Sequence, residues 1–139
     1  MTGDGPYELC PIGRVESPLT DAEFAPKQGD EGAPEAYLVF SPTVAVGLRD
    51  LRPDAEVLVL TWLDRARRDV LAVRPRDDHA RPETGVFSTR SADRPNPIGL
   101  HRVRVLAVDG LRVRVAGLEA LDGTPVLDVK PVLGRRDER

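Results

Sequence analysis

Two stretches of this chain gather the side chains that can do chemistry. Residues 85–100 (GVFSTRSADRPNPIGL) carry Arg90, Ser91, Asp93, Arg94 and Asn96, and residues 121–131 (LDGTPVLDVKP) carry Asp122, Thr124 and Asp128. In the first, Pro95 and Pro97 restrain the backbone and Gly85 and Gly99 interrupt regular structure, so its polar groups are displayed on non-helical chain. In the second, the turn 122–125 feeds an alternating strand, 126–129. These residue types recognise ligands and handle protons: planar guanidiniums fork onto carboxylates or phosphates, and carboxylates accept protons. Metal chemistry is not indicated, because His79, His101 and Cys10 are too few and too scattered for a zinc pattern. Neither a Walker-type loop nor a GxGxxG after a strand is present, so a nucleotide-like cofactor would bind without a Rossmann crevice.

The remaining chain must position those stretches. Tyr7, Leu9 and Ile12 read as a short edge strand interrupted by Pro11 and closed by Gly13. Residues 17–34 form a long turn-rich loop, and loops of that length in small domains are generally functional or mobile. Residues 36–40 read as a strand. Residues 42–51 read as a short helix, with Ser41 as cap, Pro42 at the first helical position and Val44, Leu48 and Leu51 on one face. The most apolar run, 56–63 (EVLVLTWL), is expected to be central, with 69–74 as its neighbour. Residues 75–83 read as an exposed loop in which His79 is bland. Trp62 and Phe87 are read as core, given how much area aromatic rings bury.

A hairpin over 100–116 has Asp109-Gly110 at its tip. A two-residue loop there would mix charge and hydrocarbon on both faces. An odd loop gathers Val103, Val105, Ala107, Val113 and Val115 inside and Arg102, Arg104, Arg112 and Arg114 outside, and is the expected solution. The arginine face is then either a phosphate platform or an ordinary solvated face. Seven or so short strands and one helix give a mainly β fold: a small single-domain β-barrel with one short helix and long loops. One domain spans 1–139, with 1–6 and 135–139 expected to be flexible.

The 20 Lys and Arg against 23 Asp and Glu leave a net charge of −3, so no global positive field announces a nucleic-acid binder. Any such binding must be local. Only Lys27 and Lys130 are lysines. The single Cys10 excludes an intrachain disulfide, no stretch has membrane-spanning length, and residues 1–8 lack the layout of a secretory signal. A cytoplasmic protein with no membrane partner is expected.

Residues 87–100 (FSTRSADRPNPIGL) resemble the F-A-T-R-S-x-x-R-P-N-P-I-G signature of the TsaA-like family, and 121–131 match its second signature. Residues 11–18 (PIGRVESP) and 26–28 (PKQ) are similar to its I-G-x-x-x-S-P and P-R-Q elements. The resemblance implies an S-adenosyl-L-methionine-dependent methyltransferase on a small β-barrel, a homodimer, methylating N6 of threonylcarbamoyladenosine at tRNA position 37. It also assigns Gln28, Arg90, Ser91, Leu121 and Thr124 to the cofactor, with Arg90 on its methionyl carboxylate. Two family histidines are replaced, in Pro53-Asp54-Ala55-Glu56 and Trp62-Leu63-Asp64, and the C-terminal extension of longer members is absent. These departures bear on the substrate more than on the cofactor.

Methyl transfer from a sulfonium is an in-line displacement, so positioning supplies most of the catalysis. An acceptor for the N6 proton would help; Asp122 is the candidate, with Asn96 orienting it. Asp122 could equally be a turn carboxylate, Arg90 could pair with Asp93 or Asp128, and Arg94 could meet substrate phosphate or a partner subunit. The competing functions are methylation of a small molecule and non-catalytic S-adenosyl-L-methionine binding.

Overall fold

The computed structural model describes residues 4–20, 34–74, 80 and 82–134. Six strands, β1 (Gly13–Glu16), β2 (Ala36–Phe40), β3 (Glu56–Trp62), β6 (Ile98–Asp109), β7 (Arg112–Ala116) and β8 (Pro125–Pro131), form a closed antiparallel barrel. Their order is β1-β2-β7-β6-β3-β8, with β8 returning to β1. Two short strands, β4 (Ala72–Val73) and β5 (Thr84–Gly85), pair with each other outside it.

Alternation of side chains along each strand sets the interior. Leu38, Val57, Val59, Val103, Val105, Val113 and Val115 face inward and are buried, while Arg102, Arg104, Arg112 and Arg114 occupy the outward phase. Leu118 and Ala120, from the connection after β7, complete the same core.

Several expectations are corrected. Tyr7 and Leu9 are exposed and not in a strand; Gly13 opens β1 instead of closing an earlier strand. Pro11 has no N–H to add to a ladder there. The segment after β3 does not pair with it, because both edges of β3 are already taken by β6 and β8. Residues 42–51 give a 3-10 helix, Pro42–Leu48, capped by Ser41 through the Thr43 amide. Thr43, Val44, Val46 and Gly47 are poor α-helix formers, yet Val44, Leu48 and Leu51 do pack on the core.

The hairpin solves its parity within a strand. Asp109 pairs with Arg112 across a two-residue turn, and the register shifts between Val105 and Ala107, so that Val105 faces Val115. The extra residue, Leu106, lies in a bulge and not in the loop. Val108 therefore packs against the core in place of Ala107. Gln28, most of the 17–34 loop, His79 and residues 135–139 lie outside the described residues.

Leu118 is fully buried where the β7–β8 connection crosses the barrel end. Leu118→Ala should cost about 2–5 kcal/mol in denaturant unfolding, whereas Val46→Ala, at a position 75% exposed, should change stability by no more than about 0.5 kcal/mol.

Candidate functional site

Strand pairing brings the two polar stretches together. Thr61 and Trp62, at the end of β3, pair with Gly99 and Ile98 of β6 on one side, and Thr61 pairs with Val126 of β8 on the other. The strand starts that follow residues 90–97 and 121–124 therefore flank one strand end, about 10 Å apart at ordinary strand spacing. The end of β1 joins them, since the Val15 amide donates to Thr124 O at 2.9 Å.

The first loop is braced from within and from the turn after β3. Thr89 donates to Val86 O through both its amide (3.0 Å) and its hydroxyl (2.9 Å). The Nη2 of Arg94 donates to Val86 O and, at 2.7 Å, to Thr89 O. Arg94 is thus an internal strut, with its Nε buried and unpartnered. Asp93 accepts from the Arg67 amide at 2.8 Å, and the Arg94 amide donates to Arg67 O at 3.0 Å. Arg68 donates to Pro95 O (2.7 Å) and Asn96 Oδ1 (2.9 Å), with its guanidinium 5.2 Å from the centre of the Trp62 ring. Beside it, the Arg67 hydrogen bond holds the exposed Asp69 carboxyl below its ordinary range.

Arg90 stays exposed, and no side chain among the described residues pairs with its guanidinium. Both competing partners are engaged elsewhere: Asp93 by the Arg67 amide, and Asp128 by Lys130 at 3.0 Å and the Val129 amide at 2.9 Å. Ser91 is half-buried, its amide donating to Thr89 Oγ1. Phe87 is not core: it is 83% exposed in this loop. The local turn, Val86–Ser88, buries Val86 instead.

The second loop is tied to the end of β1. Asp122 accepts from the Ser17 amide at 3.0 Å and donates its own amide to Leu19 O at 2.6 Å. Its side chain thus holds a distant segment and does not cap its own turn. Thr124 is buried, with its hydroxyl donating to Leu121 O at 2.7 Å. Among the described residues no hydrogen bond joins Asn96 to Asp122, so the expected orienting pair is not in contact. Gln28 lies outside the described residues.

Sequence reasoning missed the buried polar chain beneath both loops. His101 Nε2 lies 2.7 Å from Thr61 Oγ1, and His101 Nδ1 lies 2.7 Å from Glu119 Oε1. Thr61 and His101 both fall on the inward, otherwise apolar phase of their strands, which is the signal that could have found them. Arg68 gave no such signal; only tertiary pairing places it under Asn96.

The outer arginines are all matched by acids. Arg102 meets Glu56 at 2.6 Å, Arg104 Asp54 at 3.5 Å, Arg112 Glu16 at 2.5 Å and Arg114 Glu35 at 3.7 Å. This is a charge-balanced solvated face, and such exposed pairs contribute about 0.2–1 kcal/mol each. Among the described residues no group of three His, Cys, Asp or Glu could hold a metal ion, and no helix is long and apolar enough to cross a membrane.

Residues 14–138 match the family tRNA-methyltransferase O N-terminal domain. An S-adenosyl-L-methionine-binding protein of Archaeoglobus fulgidus is 43% identical over 122 residues, covering 88% of this chain and 86% of its own. A probable S-adenosyl-L-methionine-binding protein of the same organism is 44% identical over 124 residues, 89% of this chain but 33% of its own. A crystal structure of TrmO superposes with a TM-score of 0.75 at 31% identity, covering 96% of this chain and 60% of that one. The chain thus spans a third of one such relative and three fifths of the TrmO chain.

Gly99 is the tightest point beneath the site, since a Cβ there would lie 2.3 Å from Thr61 Oγ1 and 2.7 Å from His101 Nε2. Gly99→Ala should therefore lower stability by about 1–3 kcal/mol through overpacking. Gly47→Ala, where a Cβ meets open space, should not; thermal unfolding of both variants checks this.

Proposed function

We infer the function of this chain from its family: it belongs to the tRNA-methyltransferase O N-terminal domain family, and we propose that it is an S-adenosyl-L-methionine-dependent methyltransferase. Its acceptor in this reading is N6 of threonylcarbamoyladenosine at tRNA position 37, which sets its place of work in the cytoplasm. The observation that carries the reading is the convergence of both loops on one end of β3, with the Arg90 guanidinium left without a partner among the described residues. A mouse tRNA (adenine(37)-N6)-methyltransferase, 51% identical over 55 residues that make up 40% of this chain and 13% of its own, supports the acceptor class.

The residues suit the cofactor. Arg90 offers a planar fork to a methionyl carboxylate, with Ser91 beside it and the backbone of Leu121 and the buried Thr124 shaping the opposite wall. Gln28 belongs to the same set. The bound cofactor supplies an electrophilic methyl group. The chain's own contribution is alignment of the acceptor nitrogen with that methyl, worth more here than any covalent step. Asp122 takes the N6 proton through Oδ2, since Oδ1 is occupied by the Ser17 amide. Asn96, its carbonyl oxygen held by Arg68, presents its amide N–H groups to the acceptor.

We also propose a homodimer through the outer face of β3 and β6. Leu60 pairs with Leu100 and Trp62 with Ile98 on the outward phase, leaving Ile98 and Leu100 41% and 42% exposed. A second copy laid on this face would cover Leu100 and Ile98, the residue at which the first loop enters β6. One observation favours a small acceptor instead of tRNA: the arginine face is charge-balanced and offers no phosphate track.

Incubated with labelled S-adenosyl-L-methionine, the protein should methylate tRNA carrying threonylcarbamoyladenosine and not the unmodified transcript. Label entering only small molecules would replace the tRNA reading. Cofactor binding without transfer to either class would make the chain a binding module. Arg90→Lys should weaken cofactor binding about tenfold by calorimetry, because an ammonium cannot fork onto a carboxylate. Light scattering at micromolar protein should give twice the chain mass, and Leu100→Glu should halve it; a monomeric parent would reject the dimer.

A further inference from the structure

The Thr61–His101–Glu119 chain is the polar cluster that this mechanism does not use. The ring nitrogen Nδ1 shares a hydrogen bond with the Glu119 carboxyl and Nε2 shares one with the Thr61 hydroxyl, so the imidazole is held at both of its nitrogens. The order of groups is that of a nucleophilic triad. Access decides against that use. Thr61 is completely buried, and the space above its oxygen is so small that even a methyl group on Gly99 would collide with it. No acceptor atom can reach Thr61 Oγ1.

Its placement says what it does instead. Thr61 stands two residues before Leu63, whose amide holds Pro97 O at 2.8 Å. His101 stands two residues after Gly99, at the root of the first loop. Glu119 stands two residues before Leu121, whose carbonyl holds both the amide and the hydroxyl of Thr124. One imidazole therefore ties β3 and the root of the first loop to the root of the second. Its bonds run where a net loss of either partner strands a buried polar group.

We propose that His101 is a positioning residue, clamped by Thr61 and Glu119, that fixes the spacing between the loop carrying Arg90, Ser91 and Asn96 and the loop carrying Asp122 and Thr124. The proposal rests on the methyltransferase reading, because that spacing is what aligns cofactor and acceptor. A misplacement of about 1 Å at such a site costs on the order of 100-fold in rate. Stability alone would not distinguish this from ordinary core packing, so the test compares variants of similar stability.

The variants are His101→Leu, Thr61→Val, Glu119→Gln and, as a packing control in the same core, Val105→Ala. Below their melting temperatures, calorimetry gives cofactor affinity and a transfer assay gives kcat and KM. His101→Leu and Thr61→Val should weaken cofactor binding about tenfold and lower kcat further, on the order of 100-fold for His101→Leu. Glu119→Gln, which keeps a hydrogen-bond partner for Nδ1, should stay close to the parent. Val105→Ala should lose stability but keep its binding and kcat. Equal behaviour of His101→Leu, Thr61→Val and Val105→Ala in binding and rate would overturn the proposal. If the parent itself binds no cofactor, the functional reading fails and amide exchange decides the clamp separately. Faster exchange at Leu63 and Gly123 in Thr61→Val or His101→Leu, with β7 amides unchanged, supports it; unchanged exchange at both refutes it.

Discussion

The barrel closes through a seam with two paired positions, Gly13 with Val126 and Arg14 with Pro125, and the placement of the site depends on it. The seam is reinforced by backbone bonds just beyond the ladder: Ile12 to Val126 O at 2.8 Å and Gly123 to Val15 O at 2.7 Å. On the other edge of β1, Gly13 permits the close approach of β2, since a Cβ there would lie 2.4 Å from Val39 O. Pro125 stands at the first position of β8, where a missing N–H disrupts little of the ladder. Closing the sheet also removes its edges. The bonds that close the barrel are the bonds that hold residues 122–124, so the second loop cannot shift without loosening the fold.

The site is built on the same plan, with backbone carbonyls and amides as anchors. Arg94 folds its guanidinium onto Val86 and Thr89, Arg68 holds Pro95 and Asn96, and Asp122 holds Ser17. Charged side chains in these loops are mostly spent on shape. That leaves Arg90 as the group aimed at nothing within the described protein, which is the physical meaning of its exposure.

Much of this was legible because it is local. Side-chain alternation gave the inward valines of β6 and β7, Ser41-Pro42 gave a helical turn, and the restrained run around Pro95 and Pro97 marked the first loop. What failed was decided at a distance. Residues 72–73 look like a partner for β3 until both its edges are filled by segments 40 and 70 residues away. The parity of the hairpin allows a longer loop or a bulge, and only packing against β2, whose Leu38 faces Val113, chooses the bulge at Leu106. Phe87 is exposed because Val86 takes the buried position of that turn, a choice between adjacent apolar residues that composition cannot make. Arg94 turns inward because the carbonyls it needs are brought together by the turn itself.

The contrast between the outer arginines and His101 shows how burial sets the value of a charge or dipole. Four guanidiniums on the barrel surface are each paired with an acid, and solvent screens every pair. Removing one leaves water to take its place. Inside, Thr61 and His101 are buried and have no water to replace a missing partner, while Glu119 reaches them from a half-buried position, so each bond is directional. A barrel that needed only stability would fill that end with hydrocarbon, as it does around Val57, Val59 and Val105. Hydrocarbon contacts tolerate small slips between strands, whereas a donor and acceptor at 2.7 Å do not. For a reaction governed by the alignment of three atoms, a polar core at the root of both loops restricts the one coordinate that matters.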